Sequence, residues 1–302
     1  MKNKRLDRYI ESLSRLDGKE VIVTGANTGL GFEMCKVLAS KGADIVMACR
    51  DVKKAEEARD HIMDNYPYCK ISIEEYDQAD GESITKFADT IIKSHPNFYG
   101  LILNAGILRP NKDSETKHGF PLTSGTNFFG VLLLLDKLDE FIQKTKEEKR
   151  IVIHGSCVMY NCKFKSIEES LLNNNLGLYK QYKLSKLAVA NIYDYYATKN
   201  ENPNVKYLLA EPGIARSNIT RYYKQFVKTA WNSIVGFVFN DSVEGCLACA
   251  RLVCDEINNG DYFRPRGILG YRGLPRKAEF IERLYIEGLI EDSKKIIYER
   301  LG

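Results

Sequence analysis

The chain has no stretch that would divide it, seat it in a bilayer or staple it together. Its 8 prolines among 302 residues are scattered, and no proline- or serine-rich tract separates one half from the other. A chain of this length then reads as one large α/β domain. No apolar run reaches the ~20 residues that a membrane-spanning helix needs. Residues 1–17 also lack the apolar core of a signal peptide. There is no internal repeat and no low-complexity tract. Neither sign of charge dominates: 44 Lys and Arg stand against 40 Asp and Glu, which removes the electrostatic case for a nucleic-acid partner. The 8 cysteines (35, 49, 69, 157, 162, 246, 249 and 254) lie mostly inside apolar runs. They read as small buried hydrophobes of a reducing, cytoplasmic setting, not as a disulfide framework. Cys246 and Cys249 have a metal or redox spacing, but Leu247, Ala248, Ala250, Leu252 and Val253 around them read as a buried helix. No second CxxC or histidine pair completes a zinc site, so no metal is expected.

What is present is organised around Val21 to Gly31, VIVTGANTGLG. Val21-Ile22-Val23 has the composition of a buried parallel strand. Thr24-Gly25 breaks it, Gly29 and Gly31 follow, and then Phe32, Cys35, Leu38 and Ala39 take up helical spacing. Strand, glycine turn and helix N-terminus together make a cradle for phosphate. Glycine lets the backbone turn tightly, and the first helical N–H groups point at the anion. Upstream, Leu6, Ile10, Leu13 and Leu16 give residues 1–17 an amphipathic helix pattern. Its basic residues suit peripheral contact with an anionic membrane, and its apolar face equally suits packing on its own domain.

Further strands are expected at Ala43 to Cys49, Lys70 to Tyr76, Leu101 to Leu103, Ile151 to Ile153 and Val205 to Ala210, with a short seventh at Gly267 to Gly270. Helical patterns at 52–64, 81–94, 122–144 and about 180–198 alternate with them. The expected fold is an α/β, Rossmann-type doubly wound parallel sheet of about seven strands, helices on both faces, in a single domain spanning 18–302. Ligands of such sheets bind beyond the carboxyl ends of the strands. The residues to read are therefore the glycine turn, Arg50, Asp77, Asn104-Ala105-Gly106, Ser156 and Glu211-Pro212-Gly213.

The helix near 180 brings a tyrosine and a lysine, four residues apart, to that edge. A tyrosine of pKa near 10 exchanges protons poorly at neutrality; a neighbouring ammonium stabilises the phenolate and brings it into range. Two registers offer this pair, Tyr179 with Lys183 and Tyr182 with Lys186. Three positions rotate a helix face by only about 60°, so periodicity leaves both open. A serine hydroxyl at the end of the fifth strand would hold a carbonyl oxygen beside such a tyrosine.

These residues resemble the short-chain dehydrogenase/reductases, and among them the retinol dehydrogenase-like branch. The resemblance runs from about Leu16 to the C-terminus. It is carried by TGANTGLG, ACRDVKKAEEA (48–58), LNAG (103–106), TKHGFPLTSGTNFFG (116–130), RIVIHGS (150–156), YKLSKLA (182–188) and EPGIARS (211–217). It implies a catalytic set of Asn127, Ser156, Tyr182 and Lys186, the LSKLA context selecting Tyr182 over Tyr179. Tyr182 would protonate the developing alkoxide, with Lys186 lowering its pKa and binding the nicotinamide ribose. Ser156 would orient the carbonyl, and Asn127 would support a water relaying protons through Lys186. The implied cofactor-binding residues are Thr24, Gly25, Asn27, Thr28, Gly29, Leu30, Gly31, Arg50, Lys54, Asp77, Asn104, Ala105, Gly106, Tyr182, Lys186, Pro212, Gly213, Ile214 and Ser217. His154-Gly155 departs from the small hydrophobic residue and serine that commonly precede the catalytic serine.

Asp51 lies about twenty residues past the last glycine, where an acid holding the ribose 2′-hydroxyl of NAD is expected. Arg50 could instead grip a 2′-phosphate with charge-assisted bonds, and the ACR sequence of the branch implies NADP, helped by Lys54. Asp51 then serves as a helix N-cap. Between 217 and 243, Tyr222, Tyr223, Phe226, Trp231, Phe237 and Phe239 form an aromatic stretch. The resemblance makes it a substrate lid, its composition suiting an apolar carbonyl or alcohol of the retinoid, steroid or lipid-aldehyde kind. Pocket lining and dimer contact share that composition. The helices at 122–144 and 180–198 are candidates for a homodimer face. The alternative to turnover is an NADP-binding sensor or scaffold of the same fold; the glycine spacing and the lack of a large C-terminal substrate domain argue against a sugar-nucleotide epimerase.

Overall fold

The structure, a computed structural model, describes residues 4–108, 114–214, 242–267 and 270–302. Eight strands form one sheet: β1 (Glu20–Thr24), β2 (Asp44–Cys49), β3 (Ile71–Glu75), β4 (Gly100–Leu103), β5 (Lys149–His154), β6 (Val205–Ala210), β7 (Tyr262–Pro265) and β8 (Pro275–Ala278). Their spatial order is β3-β2-β1-β4-β5-β6-β7-β8, parallel throughout except for the antiparallel β7–β8 pair. The seventh strand is thus not at Gly267 to Gly270. Those two glycines belong to the hairpin after β7, where Gly267 N bonds the carbonyl of Arg272 and Gly270 N that of Gly267.

Alternation along each strand decides which face its side chains cover. Ile22, Leu101, Leu103, Ile151, Ile153, Tyr207 and Leu209 pack under α4 (Gly81–Ser94), α5 (Gly130–Gln143) and α6 (Leu178–Lys199). Val21, Val23, Ile102, Val152, Leu208 and Ala210 pack under α2 (Gly29–Ser40), α3 (Val52–Met63) and α7 (Ser242–Cys254). Both faces are covered, so the central strands are apolar on both sides, as buried parallel strands must be.

β5 is buried along its whole length, yet it opens on two cations. Lys149 Nζ donates to the carbonyls of Pro96 and Phe98, at 2.8 and 3.0 Å. Arg150 Nη1 donates to those of Leu252 and Val253, at 3.1 and 3.0 Å, closing the C-terminus of α7. The guanidinium satisfies carbonyls that the helix itself leaves without partners. Cys246, Cys249 and Cys254 are buried in α7, all eight thiols are free, and no metal-binding cluster occurs among the described residues.

α1 (Lys4–Ser12) is shorter than the amphipathic pattern, which continues as extended chain; Leu6, Leu13 and Leu16 are buried. Ser14 N is held by Asp255 Oδ1 at 3.1 Å, and Tyr9 and Ile10 pack on the α2–α7 side. The apolar face of this segment therefore lies on the chain's own domain. At the other end, α8 (Leu289–Leu301) lies over α5 and α6, the pair offered above as a dimer face. Ile290 and Ile297 are buried, Lys199 pairs with Glu291 at 2.7 Å and Lys294 with Asp136 at 2.6 Å. No helix among the described residues is long and apolar enough to cross a membrane.

Candidate active site

The glycine turn is shaped by contacts that exclude any side chain. Gly25 and Gly29 have φ of 64° and 58°, the left-handed region that glycine enters without strain. A Cβ on Gly31 would stand 2.3 Å from the carbonyl oxygen of Gly25 and 2.6 Å from Asn104 Nδ2. Behind the turn, Thr24 Oγ1 accepts from the backbone N–H of Asn104 and of Ala105, both at 3.0 Å, and donates to Ile102 O at 3.3 Å. Asn104 Nδ2 donates to Thr24 O at 2.9 Å. Two strand ends are thereby locked side by side. Thr28, the N-cap of α2, makes no capping bond with its side chain.

In front lies a cleft of about 380 Å³ lined by Gly25, Asn27 to Gly31, Arg50, Lys54, Asp77 and Asn104 to Gly106. The cofactor residues expected from the glycine turn and the ends of β2, β3 and β4 therefore line one cleft, with Thr24 just behind it, whereas Tyr182, Lys186, Pro212, Gly213 and Ile214 are not part of its lining. Gln78, Tyr76, Ala48, Cys49, Ile107, Leu108 and Thr126, not singled out from the sequence, also line it. Gln78 Nε2 donates to Ala105 O at 2.9 Å and to Thr126 O at 2.7 Å, tying the loop after β4 to the segment that carries Asn127.

At the far end, Asp51 caps α3. It accepts from Lys54 N at 3.1 Å and from the Lys54 ammonium, which lowers its pKa. Arg50 projects into the cleft with its side chain 70% exposed, 3.7 Å from Asp77 Oδ2. A nucleotide diphosphate fits this donor set. The turn presents helix N-terminal N–H groups without a competing cap, and Arg50 and Lys54 supply cations where the adenosine end would lie.

The second group of residues comes from other elements. Residues 122–143 do not form one uniform helix: a three-residue turn, Leu122–Ser124, passes into a π-helical segment, Gly125–Phe129, before α5. Gly130 accounts for the close approach, since a Cβ there would lie 2.1 Å from Gln78 O. The π segment carries Asn127. Its Oδ1 accepts from Ile107 N at 2.8 Å, and its Nδ2 donates to Ile107 O at 2.9 Å and to Ser185 Oγ at 3.0 Å. The amide is thus occupied in clamping the loop after β4. Ser185, fully buried on α6, connects it to the Tyr182 carbonyl at 2.9 Å.

On α6 the two tyrosine–lysine registers part. Tyr179 is 44% exposed, with Lys183 over its ring at 5.4 Å, whereas Tyr182 is 8% exposed and lies beside the Ser156 side chain. Lys186 is buried, its Nζ donating to His154 O at 2.8 Å. A Cβ on Gly106, in the cleft wall, would lie 3.2 Å from Asn127 Oδ1 and 3.9 Å from Lys186 Nζ. Asn127, Ser156, Tyr182 and Lys186 thus gather beside the inner end of the cleft.

The electrostatics differ from the simple pair. Burial pushes the Tyr182 hydroxyl above its ordinary pKa and the neighbouring Ser156 side chain opposes that shift. Burial lowers Lys186 to about 8. The ammonium is committed to a carbonyl, so desolvation outweighs the expected stabilisation of the phenolate.

Pro212, Gly213 and Ile214 follow β6, and Gly213 has a φ of 69°. Ile214 N bonds Tyr271 O at 3.0 Å. Just before them Glu211 is fully buried, its Oε1 accepting from Tyr160 at 3.0 Å and from Tyr262, while Arg264 Nε stands 4.0 Å from Oε2. Burial raises the Glu211 pKa. Tyr160 belongs to the 3-10 turn that follows Ser156, so this network braces the serine loop against β6 and β7. Ser217 and nearly all of the 217–243 stretch lie outside the described residues; its last two positions open α7.

A family model described as short chain dehydrogenase matches residues 19–165. Retinol dehydrogenase 11 of Homo sapiens is 30% identical over 282 residues, covering 91% of this chain and 86% of its own length. An uncharacterised oxidoreductase of Schizosaccharomyces pombe is 28% identical over 287 residues, covering 89% and 84%. Among solved structures, an uncharacterised protein of Mycobacterium paratuberculosis superposes with a TM-score of 0.72 at 23% identity, over 97% of this chain and 96% of that one. A short chain dehydrogenase of Shigella flexneri complexed with NADP gives 0.62 at 18% identity, over 81% and 94%.

Proposed function

The chain belongs to the short-chain dehydrogenase/reductase family, is retinol dehydrogenase-like, and is an NAD(P)-dependent oxidoreductase; on that premise we propose that it uses NADP and acts on an apolar carbonyl or alcohol. The observation that carries the reading is the buried Tyr182 beside the Ser156 hydroxyl, with Lys186 one turn further along α6 and next to Gly106 in the wall of the glycine cleft.

Bound in that cleft, the nicotinamide supplies or takes up the hydride. The chain's own residues handle the oxygen and its proton. Ser156 and Tyr182 present two hydroxyls to one substrate oxygen; in the reducing direction Tyr182 gives its proton to the forming alkoxide, and in the oxidising direction it takes one back. Lys186, with a pKa near 8, can hold or release a proton close to neutrality. Asn127 fixes the loop after β4 against α6, so that Tyr182 and the cleft keep their separation.

The preference for NADP is supported by the division of labour at the β2 end. Asp51 is spent on the N-terminus of α3, leaving Arg50 as the group best placed for a 2′-phosphate. The retinol dehydrogenases among the relatives and the aromatic stretch at 217–243 support an apolar substrate, of the retinoid, steroid or lipid-aldehyde kind. Eight free thiols support a cytoplasmic setting.

The test is turnover of NADPH and NADH against retinaldehyde, aliphatic aldehydes, ketones and quinones. Tyr182→Phe is expected to abolish turnover while still binding NADPH, and Tyr179→Phe to keep it. A wild-type protein that binds NADPH but turns over nothing on the panel would replace this reading with that of a nucleotide sensor.

A further inference from the structure

We infer that His154 is a positioning residue for the cofactor turn: its ring holds the Asn104 side chain in the orientation that ties the loop after β4 to Thr24 and Gly25. The inference rests on the reading of the glycine cleft as a dinucleotide site.

His154 is the last residue of β5, where a ring is unexpected, and it is buried. Its Nδ1 lies 2.9 Å from Asn104 Oδ1. The other end of the same amide is already committed, Nδ2 donating to Thr24 O at 2.9 Å and reaching Gly25 O at 3.4 Å. Oδ1 therefore faces the imidazole, and as a pure acceptor it requires a proton on Nδ1. Burial beside Lys186 pushes the ring pKa down to about 3, so the imidazole is neutral and a single tautomer satisfies the contact.

Reversed, the amide would turn its oxygen on two carbonyls, so Thr24 O and Gly25 O settle which way Asn104 points, and the Nδ1–H holds the oxygen end in place. Gly31 makes the room for the amide in that place, since a Cβ on it would stand 2.6 Å from Asn104 Nδ2. The His154 carbonyl accepts from Lys186 Nζ at 2.8 Å. One residue thus braces the phosphate-binding turn through its side chain and Lys186 through its backbone.

The arrangement leaves an unsatisfied group. Nε2 is buried and has no hydrogen-bond partner among the described residues. A residue placed only for packing would not leave a lone pair in that position. Its removal should therefore cost cofactor affinity more than stability.

The test measures NADPH affinity by fluorescence and the melting temperature without nucleotide, in wild type, His154→Leu and His154→Asn. Leucine removes the donor that satisfies Asn104 Oδ1 together with the unpartnered lone pair, opposing changes in stability that leave the melting temperature close to wild type, while the Kd for NADPH should rise roughly tenfold, the upper end for one buried hydrogen bond. Asparagine carries an N–H near the place of Nδ1 and should bring the Kd back to within about threefold of wild type. A leucine variant within about twofold of wild type in Kd would overturn the inference, as an effect this small is less than one hydrogen bond. So would asparagine failing to restore binding. Failure of the wild-type protein to bind either NADPH or NADH would instead remove the dinucleotide reading on which the inference stands.

Discussion

Thr24→Val changes the shape of a fully buried residue very little and its chemistry completely. The hydroxyl of Thr24, itself shut off from water, accepts from the N–H groups of Asn104 and Ala105, both at 3.0 Å. Valine leaves both donors unsatisfied, at about 1–3 kcal/mol each. With no cavity created, the expected loss is about 2–5 kcal/mol, a large share of what holds a domain folded. Thr24→Ser is the control: it keeps the acceptor and gives up one buried methyl, worth about 1 kcal/mol. Urea melts of the nucleotide-free protein should therefore rank wild type above serine and serine above valine, placing last the variant that hydrophobicity alone would place first. The valine variant should also bind NADPH more weakly, since the same contact fixes the glycine turn. A valine variant as stable as the serine one would refute the role given to the hydroxyl.

Two further outcomes bear on charge. Arg50→Glu should weaken NADPH about ten- to hundredfold, the worth of a charge-assisted hydrogen bond, and leave NADH within a few fold; equal loss of both nucleotides in titrations would count against a 2′-phosphate contact. Burial holds Lys186 near 8, against about 10.4 unfolded. Above pH 8 the unfolded chain therefore binds the extra proton, and its contribution to stability rises with pH. Relative to Lys186→Met, wild type should gain about 2 kcal/mol between pH 8 and 10 in denaturant melts, integrated from that shift; a flat difference would mean that the ammonium is not desolvated.

Much of the nucleotide half is legible in the sequence because local pattern and tertiary outcome agree there. Val21-Ile22-Val23 followed by spaced glycines can serve few other structures, and the β-branched runs of β2, β5 and β6 lie where they are expected. β7 and β8 are harder to see. Tyr-Phe-Arg-Pro and Pro-Arg-Lys-Ala carry no alternation, and pairing across the hairpin makes them strands, not propensity. Periodicity could not separate Tyr179 from Tyr182, since about 60° of helix face is within the scatter of a buried stripe; α6 buries one and exposes the other. The π segment under Asn127 depends on Gly130 meeting the Gln78 carbonyl, a contact between distant residues. Nor does anything local reveal that Tyr160, Glu211 and Tyr262, each far apart in the chain, share one buried carboxylate. What the sequence reading lacked was desolvation, which raises Tyr182 where the ammonium alone would lower it.

The way the sheet ends has a consequence for how copies of this chain meet. Among the described residues β3 and β8 have one neighbour each, so each offers an unpaired row of backbone groups. Such rows recruit strands from other molecules and seed aggregates. Here both are short and charged, with opposite signs: Glu74 and Glu75 on one margin, Arg276 and Lys277 on the other. Pro275 withholds an amide from the ladder as well. Two copies joining like margin to like margin would bring acids against acids or bases against bases. Fusion of two sheets across a twofold axis is opposed at both margins by the charges that the edge strands themselves carry.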